Sequence, residues 1–231
     1  MKKIITILAT LMLTSFSINL ANAGGFTVGA TASYMTIDAS GSATEGDETT
    51  SANVDNNVVI GSIFAEYSFD DVSWGSTGNG VTLGAQYIPG AADVSDKVKT
   101  RTDTELSITG TTTGTSTSRT QTAQAEIEKY INYYIELPVW KSLYVKAGMA
   151  SVDVNTLETT NGSNGGTYGN KTLDGTNLGI GVKGITSSNV VWKLAYEEVN
   201  FDTLNLTSTT SNTLKADLDT QEINLSVGYR F

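Results

Sequence analysis

Alternation with period two constrains this chain more than any other feature of its sequence. In residues 26–34 the even positions Phe26, Val28, Ala30, Ala32 and Tyr34 are apolar or small, and the odd ones are small or polar. An extended segment of that pattern presents two different surfaces, because successive side chains point to opposite faces. The pattern returns in residues 59–69, 81–87, 124–137, 143–150, 178–183, 190–197 and 223–231. In 124–137 the residues Ile127, Ile131, Tyr133, Ile135 and Leu137 share one face, and Glu126, Glu128, Asn132 and Glu136 the other. Lys129 interrupts the apolar face, so either its ammonium snorkels at a membrane edge or the register slips there.

Eight alternating segments are compatible with a soluble sandwich, with apolar residues inside, or with a closed barrel whose apolar face meets lipid. Two observations favour the barrel. The polar face is rich in Gly, Ser and Thr with isolated charges, and the connections alternate in length. Those spanning residues 70–80, 138–142 and 186–189 are the shorter set, whereas 38–57, 89–122, 153–175 and 202–219 are long and polar. Long loops at one end and turns at the other are the pattern of an outer-membrane barrel. Within 89–122, the basic cluster Lys97, Lys99 and Arg101 and a Thr-rich stretch predict a hairpin above the membrane, turning near residues 110–114.

The amino terminus reads as an export signal. Lys2 and Lys3 precede an apolar run, residues 4–16, and Ala21-Asn22-Ala23 has the small-x-small pattern of a cleavage site. The run is shorter than the ~20 residues of a membrane-spanning helix. The expected organisation is therefore a cleavable signal peptide, 1–23, and one barrel, 24–231, with no further domain.

Composition removes several function classes. There is no His and no Cys, so imidazole- and thiol-based catalysis and the usual zinc ligand sets are excluded. The net charge of -10 argues against a nucleic-acid partner. The first long loop gathers Asp38, Glu45, Asp47, Glu48 and Asp55. It lacks the regular spacing of a calcium loop, so a solvated acidic loop is the expectation, and no cofactor is expected.

The last segment ends Ile223-x-Leu225-x-Val227-x-Tyr229-x-Phe231. With the export signal and eight strands, this terminus resembles the small eight-stranded outer-membrane β-barrel family of the opacity proteins and the OmpA transmembrane domain. The resemblance implies an all-β, antiparallel, up-and-down transmembrane barrel in the cell outer membrane, in contact with lipid and lipopolysaccharide. It also implies that Ile223, Leu225, Val227, Tyr229 and Phe231 form the signal read by the barrel assembly machinery.

On such a barrel the inward charges are Glu66, Glu126, Glu128, Glu136, Glu197 and Glu222 against Lys146, Lys183, Lys193 and Arg230. Eight strands enclose a space that side chains fill, so these charges are expected to pair across the lumen. Glu136 and Lys146 are the expected cross-strand pair. Lys183 and Lys193 face one another and need a carboxylate between them, with Glu66, Glu136 and Glu197 the candidates. Interior groups without His suit a permanently charged network rather than proton transfer near neutral pH. Three functions compete: a closed structural and surface-interaction protein, with its loops open to an extracellular ligand; a small porin-like channel; and a barrel enzyme, which the absence of His disfavours.

Overall fold

The computed structural model describes residues 24–45, 48–69, 80–93, 99–107, 115–160 and 167–231. The proposed signal peptide, the 70–79 connection and the 110–114 turn lie outside these residues. Eleven strands are present among them: β1 Gly24–Glu45, β2 Glu48–Phe69, β3 Val81–Tyr87, β4 Ala92–Asp93, β5 Lys99–Ser107, β6 Thr115–Trp140, β7 Leu143–Thr160, β8 Lys171–Ile185, β9 Val190–Phe201, β10 Leu204–Thr207 and β11 Thr213–Arg230. All pairings are antiparallel, and the order β1-β2-β3-β6-β7-β8-β9-β11 closes when β11 pairs β1 from Thr27↔Arg230 to Thr44↔Thr213. The fold is therefore an eight-stranded ring. Strands β4 and β5 lie against β6, and β10 against β11, above it.

Exposure decides which face is which. On β11 the side chains of Ile223, Leu225 and Val227 are 54%, 56% and 54% exposed, while the intervening Asn224 and Ser226 are 2% and 5% exposed. Apolar outside and polar inside is the reverse of a soluble sandwich and is stable only in lipid. A rim of aromatic residues marks one end, with Tyr229 and Phe231 at 5.0 Å and Phe26 and Phe231 at 6.4 Å between ring centroids. Rings of this kind suit a membrane interface.

Three features depart from the sequence expectation. Residues 38–45 and 48–57 continue the β1–β2 ladder up to Glu45↔Glu48 in place of the expected loop. The contrast of faces ends where lipid ends, but the Ser, Thr, Ala and Val that follow still fit a hydrogen-bonded ladder. Residues 99–107 and 115–123 likewise pair as the expected hairpin, which runs along β6.

The second departure is the interior, which is not polar throughout. Its lower half, nearer the short turns, holds the polar and charged side chains. Its outer half is an apolar cluster that includes Met35, Ile37, Val152, Leu173, Val199 and Leu218. The third is a β-bulge in β6. Lys129 has φ 55°, and the β6–β7 register shifts between Glu128 and Ile131. Tyr130 keeps the lumen phase of Asn132, and beyond the extra residue the faces reverse, so that Ile127 and Ala125 pack on the apolar cluster. Glu128 therefore belongs to the outer side, where Asn155 Nδ2 donates to it at 2.8 Å, and not to the lumen network expected from unbroken alternation.

Deleting Lys129 removes only the extra residue: Glu128 then opposes Asp153 and Tyr130 opposes Val152 in one unbroken ladder, with Glu126 and Glu128 still outside. Deleting Glu128 and Lys129 together instead turns Glu126 into the apolar outer lumen, at several kcal/mol for the unpaired carboxylate. The folded, heat-modifiable band on an unheated gel is expected to persist for the single deletion and for Lys129→Gly, which accepts a positive φ, and to disappear for the double deletion.

Candidate functional site

The densest constellation of charge in the described residues lies inside the lower half of the ring. Six positions supply it: Glu66 on β2, Glu136 on β6, Lys146 on β7, Lys183 on β8, and Lys193 and Glu197 on β9. Each occupies the lumen phase of its strand's alternation and is no more than 9% exposed. Lys183 and Lys193 are direct register partners on β8 and β9, like charges side by side. Glu136 resolves this. Its Oε2 accepts from Lys183 Nζ at 2.9 Å and its Oε1 from Lys193 Nζ at 2.9 Å. Lys193 also pairs with Glu66 across the lumen, and Tyr134 Oη donates to Glu66 Oε1 at 2.6 Å.

Glu136 is beside Lys146 in the β6–β7 register, yet the two are not an ion pair. This corrects the sequence expectation. Lys146 Nζ instead bonds Glu197 Oε2 at 2.7 Å, and Asn177 Nδ2 donates to the same oxygen at 3.1 Å. In so narrow a barrel the strands across the lumen are as near as the neighbours, so register alone does not choose partners.

Aromatic rings complete the floor. Lys146 Nζ stands 3.9 Å from the centre of the Tyr134 ring, and Lys193 Nζ 4.7 Å from that of Phe64. A β-carbon at Gly84 would strike the Tyr134 ring, and one at Gly181 the Tyr144 ring, so these two glycines make room for the rings. The three lysines and the three carboxylates Glu66, Glu136 and Glu197 balance one another. A fourth carboxylate, Glu222, lies 3% exposed on β11, level with Glu197.

Of the residues expected in the network, Glu66, Glu136, Lys146, Lys183, Lys193 and Glu197 come together, and Glu128 does not. Arg230 stands apart at the lower mouth, where it shares a cavity of about 30 Å³ with Thr27, Glu66, Ser68 and Lys183. Tyr134, Tyr144 and Thr82 were missed as members, although their places in the polar phase of the alternation signalled that they face inward. The lumen has no residue set that suggests a bound cofactor, and the described residues contain no cluster of three or more metal-ligating His, Cys, Asp or Glu.

Outside the membrane the acidic rung Asp38, Asp55 and Asp219 lies in direct register. Partial burial, and then the neighbouring Asp55, push the Asp38 carboxyl above its ordinary value. Asp153 is held below its ordinary value by the hydroxyl of Thr172 and by Lys129.

The family model for the outer membrane protein beta-barrel domain matches residues 6–231. The chain belongs to that family. As an outer membrane beta-barrel protein it resides in the cell outer membrane, in contact with lipid and lipopolysaccharide. Solved structures of similar shape include Ail of Yersinia pestis in complex with the heparin analogue sucrose octasulfate, 15% identical, covering 87% of this chain and 99% of that chain with a TM-score of 0.40. The outer membrane protease OmpT of Escherichia coli is 8% identical over 90% of this chain and 97% of that chain, TM-score 0.41. OprG of Pseudomonas aeruginosa is 11% identical over 90% of this chain and 96% of that chain, TM-score 0.39. No curated protein matches the barrel in sequence.

The network makes a direct prediction. Glu136→Gln leaves two adjacent buried lysines without their bridge and should cost about 3–5 kcal/mol, the usual penalty for breaking a buried pair. Adding Lys183→Met restores the charge balance and should recover most of that loss. Urea unfolding in micelles, followed by tryptophan fluorescence, measures both.

Proposed function

We propose that this protein is a closed, non-conducting barrel that anchors long extracellular hairpins, with a structural and surface-interaction role. One observation carries the reading: Lys193 joins Glu66 on β2 to Glu136 on β6, and Glu136 reaches on to Lys183 on β8, so ion pairs tie together strands from different sides of the lumen. A lumen lined by such pairs is filled, because an eight-stranded barrel has room for its own side chains and little else. The β1–β2 ladder up to Glu45↔Glu48 and the β5–β6 hairpin project beyond the membrane and supply the surface. Basic residues Lys99 and Arg101 of β5, with Lys97 close before them in sequence and outside the described residues, suit that second hairpin to lipopolysaccharide phosphates. An extracellular ligand would meet these hairpins rather than the lumen.

Two further parts of the reading concern biogenesis. Residues 1–23 direct export and are removed, and the barrel assembly machinery reads the terminal face from Ile223 to Phe231. No catalytic role is assigned, since the interior carries no His and its carboxylates Glu66, Glu136 and Glu197 are held by lysines.

The competing reading is a small channel for passive diffusion of small solutes. Planar-bilayer recording separates the two. The wild-type protein should show no steady conductance steps above the lipid baseline, and Glu66→Ala with Glu136→Ala and Lys193→Ala should introduce them. Steady ion-selective steps from the wild type would make it a channel.

A further inference from the structure

The wall of the ring has a seam. The β2–β3 ladder runs only from Phe69↔Val81 to Ile63↔Tyr87, whereas β2 continues on its other edge, paired with β1, up to Glu48. Among the described residues, no strand pairs with residues 48–62 of β2 on the β3 side. The chain after Tyr87 turns away toward β6. Ile88 N donates to Tyr130 O at 3.1 Å, Gly90 N donates back to Ile88 O at 3.1 Å, and Pro89 has no N–H to offer. Strand β4 then pairs with Glu126 and Ile127 on β6, leaving β2 behind.

The seam opens at lipid depth. Ile63 is four residues below Val59, which is paired with the exposed Tyr34, so the seam starts roughly 13 Å along the strand beneath that aromatic rung, at about 3.3 Å per residue. Below it, on the lipid-facing wall, lies a groove of about 580 Å³ lined by Ile63, Ala65, Ala85, Tyr87 and Ile131. Behind it, in the outer lumen, is a cavity of about 20 Å³ lined by Met35, Ile60, Ile88, Ile127, Val152 and Thr220. Tyr87 belongs to the groove and its neighbour Ile88 to the cavity. Ile60 and Ile88 are the two lips.

The cavity admits one small group, since a single water needs on the order of 10–15 Å³. One polar atom there is buried without a hydrogen bond of ordinary length, the Oγ1 of Thr220, whose residue is 3% exposed and stands beside the Glu222 carboxyl on the same face of β11. A buried hydroxyl without such a bond is costly, and a hydrogen-bonding ligand removes that penalty. Charge narrows the ligand class. Glu128 also borders the cavity, Asp38 and Asp219 stand nearby on the outer rung, and Lys129 is engaged by Glu128 and Asp153. An anionic headgroup would be repelled and finds no free cation among these residues.

We propose that the seam is a lateral binding site for an uncharged straight-chain alcohol dissolved in the outer leaflet. Its hydroxyl enters between Ile60 and Ile88 to reach Thr220, and its hydrocarbon chain lies along the wall groove. The ion-paired floor beneath makes the site blind: the ligand is held and does not cross.

The test uses the full-length mature protein in lipid nanodiscs, with ¹³C-methyl labels on Met and Ile, titrated with 1-dodecanol. Saturable shifts of the Met35, Ile60 and Ile88 methyl signals are expected, and dodecanoate at pH 7.5 should produce none. Thr220→Val should weaken the alcohol by about five- to tenfold, the worth of one hydrogen bond. Ile88→Phe, which narrows the lips and leaves Thr220 in place, should abolish saturation; it serves independently if Thr220→Val fails to fold. Shifts that rise linearly without saturation, equal shifts from dodecanoate, or affinity unchanged in either folded variant would overturn the proposal.

Discussion

The bridge from Lys183 through Glu136 to Lys193 is the interaction on which the rest of the interior depends. Two ammonium groups side by side on β8 and β9, out of water, are tolerable only if a carboxylate reaches both, and the one that does comes from β6. Because Lys193 is held in turn by Glu66, the strands bearing these charges are tied together across the lumen as well as by their backbone ladders. The glycines opposite Tyr134 and Tyr144 belong to the same design, since they let large rings lie flat against the wall beneath the charges. The proposed closure of the lumen rests on this bridge and not on strand count alone.

Above that floor the interior changes character. Met35, Ile37, Val152, Leu173 and Val199 make a dry outer half, and the short β3 leaves the wall there without a continuous ladder. A polar floor under an apolar chamber separates the two ends of the barrel chemically. On the proposed reading, water-soluble solutes meet ion pairs below and hydrocarbon above, and a ligand already in the membrane has a matching route inward. The proposed closed barrel and the proposed lateral site are thus compatible with one layered interior.

Much of the ring was legible in the sequence because lipid and lumen impose opposite demands on alternate residues. All eight ring strands were visible as period-two runs, and the need for a carboxylate between Lys183 and Lys193 followed from their register. Partner choice was not legible, as Lys146 shows: its ladder neighbour Glu136 is taken, and it turns to Glu197. Alternation did mark its own interruption at Lys129 and offered a register slip there, but it left the choice open; one residue of positive φ moves Glu128 from the inside to the outside. Where both faces become polar or both apolar, as above residue 38 and in the outer lumen, the pattern loses its contrast although the strands continue.

Because the chain contains no Cys, single cysteines can probe the interior directly. The most direct test of a sealed floor compares Ser68→Cys, at the lower mouth, with Asn224→Cys, buried inside the barrel. The protein is placed in vesicles and exposed to a charged, membrane-impermeant methanethiosulfonate from the short-turn side. The account predicts that Ser68→Cys is modified and Asn224→Cys is not. Modification of both at similar rates would contradict it.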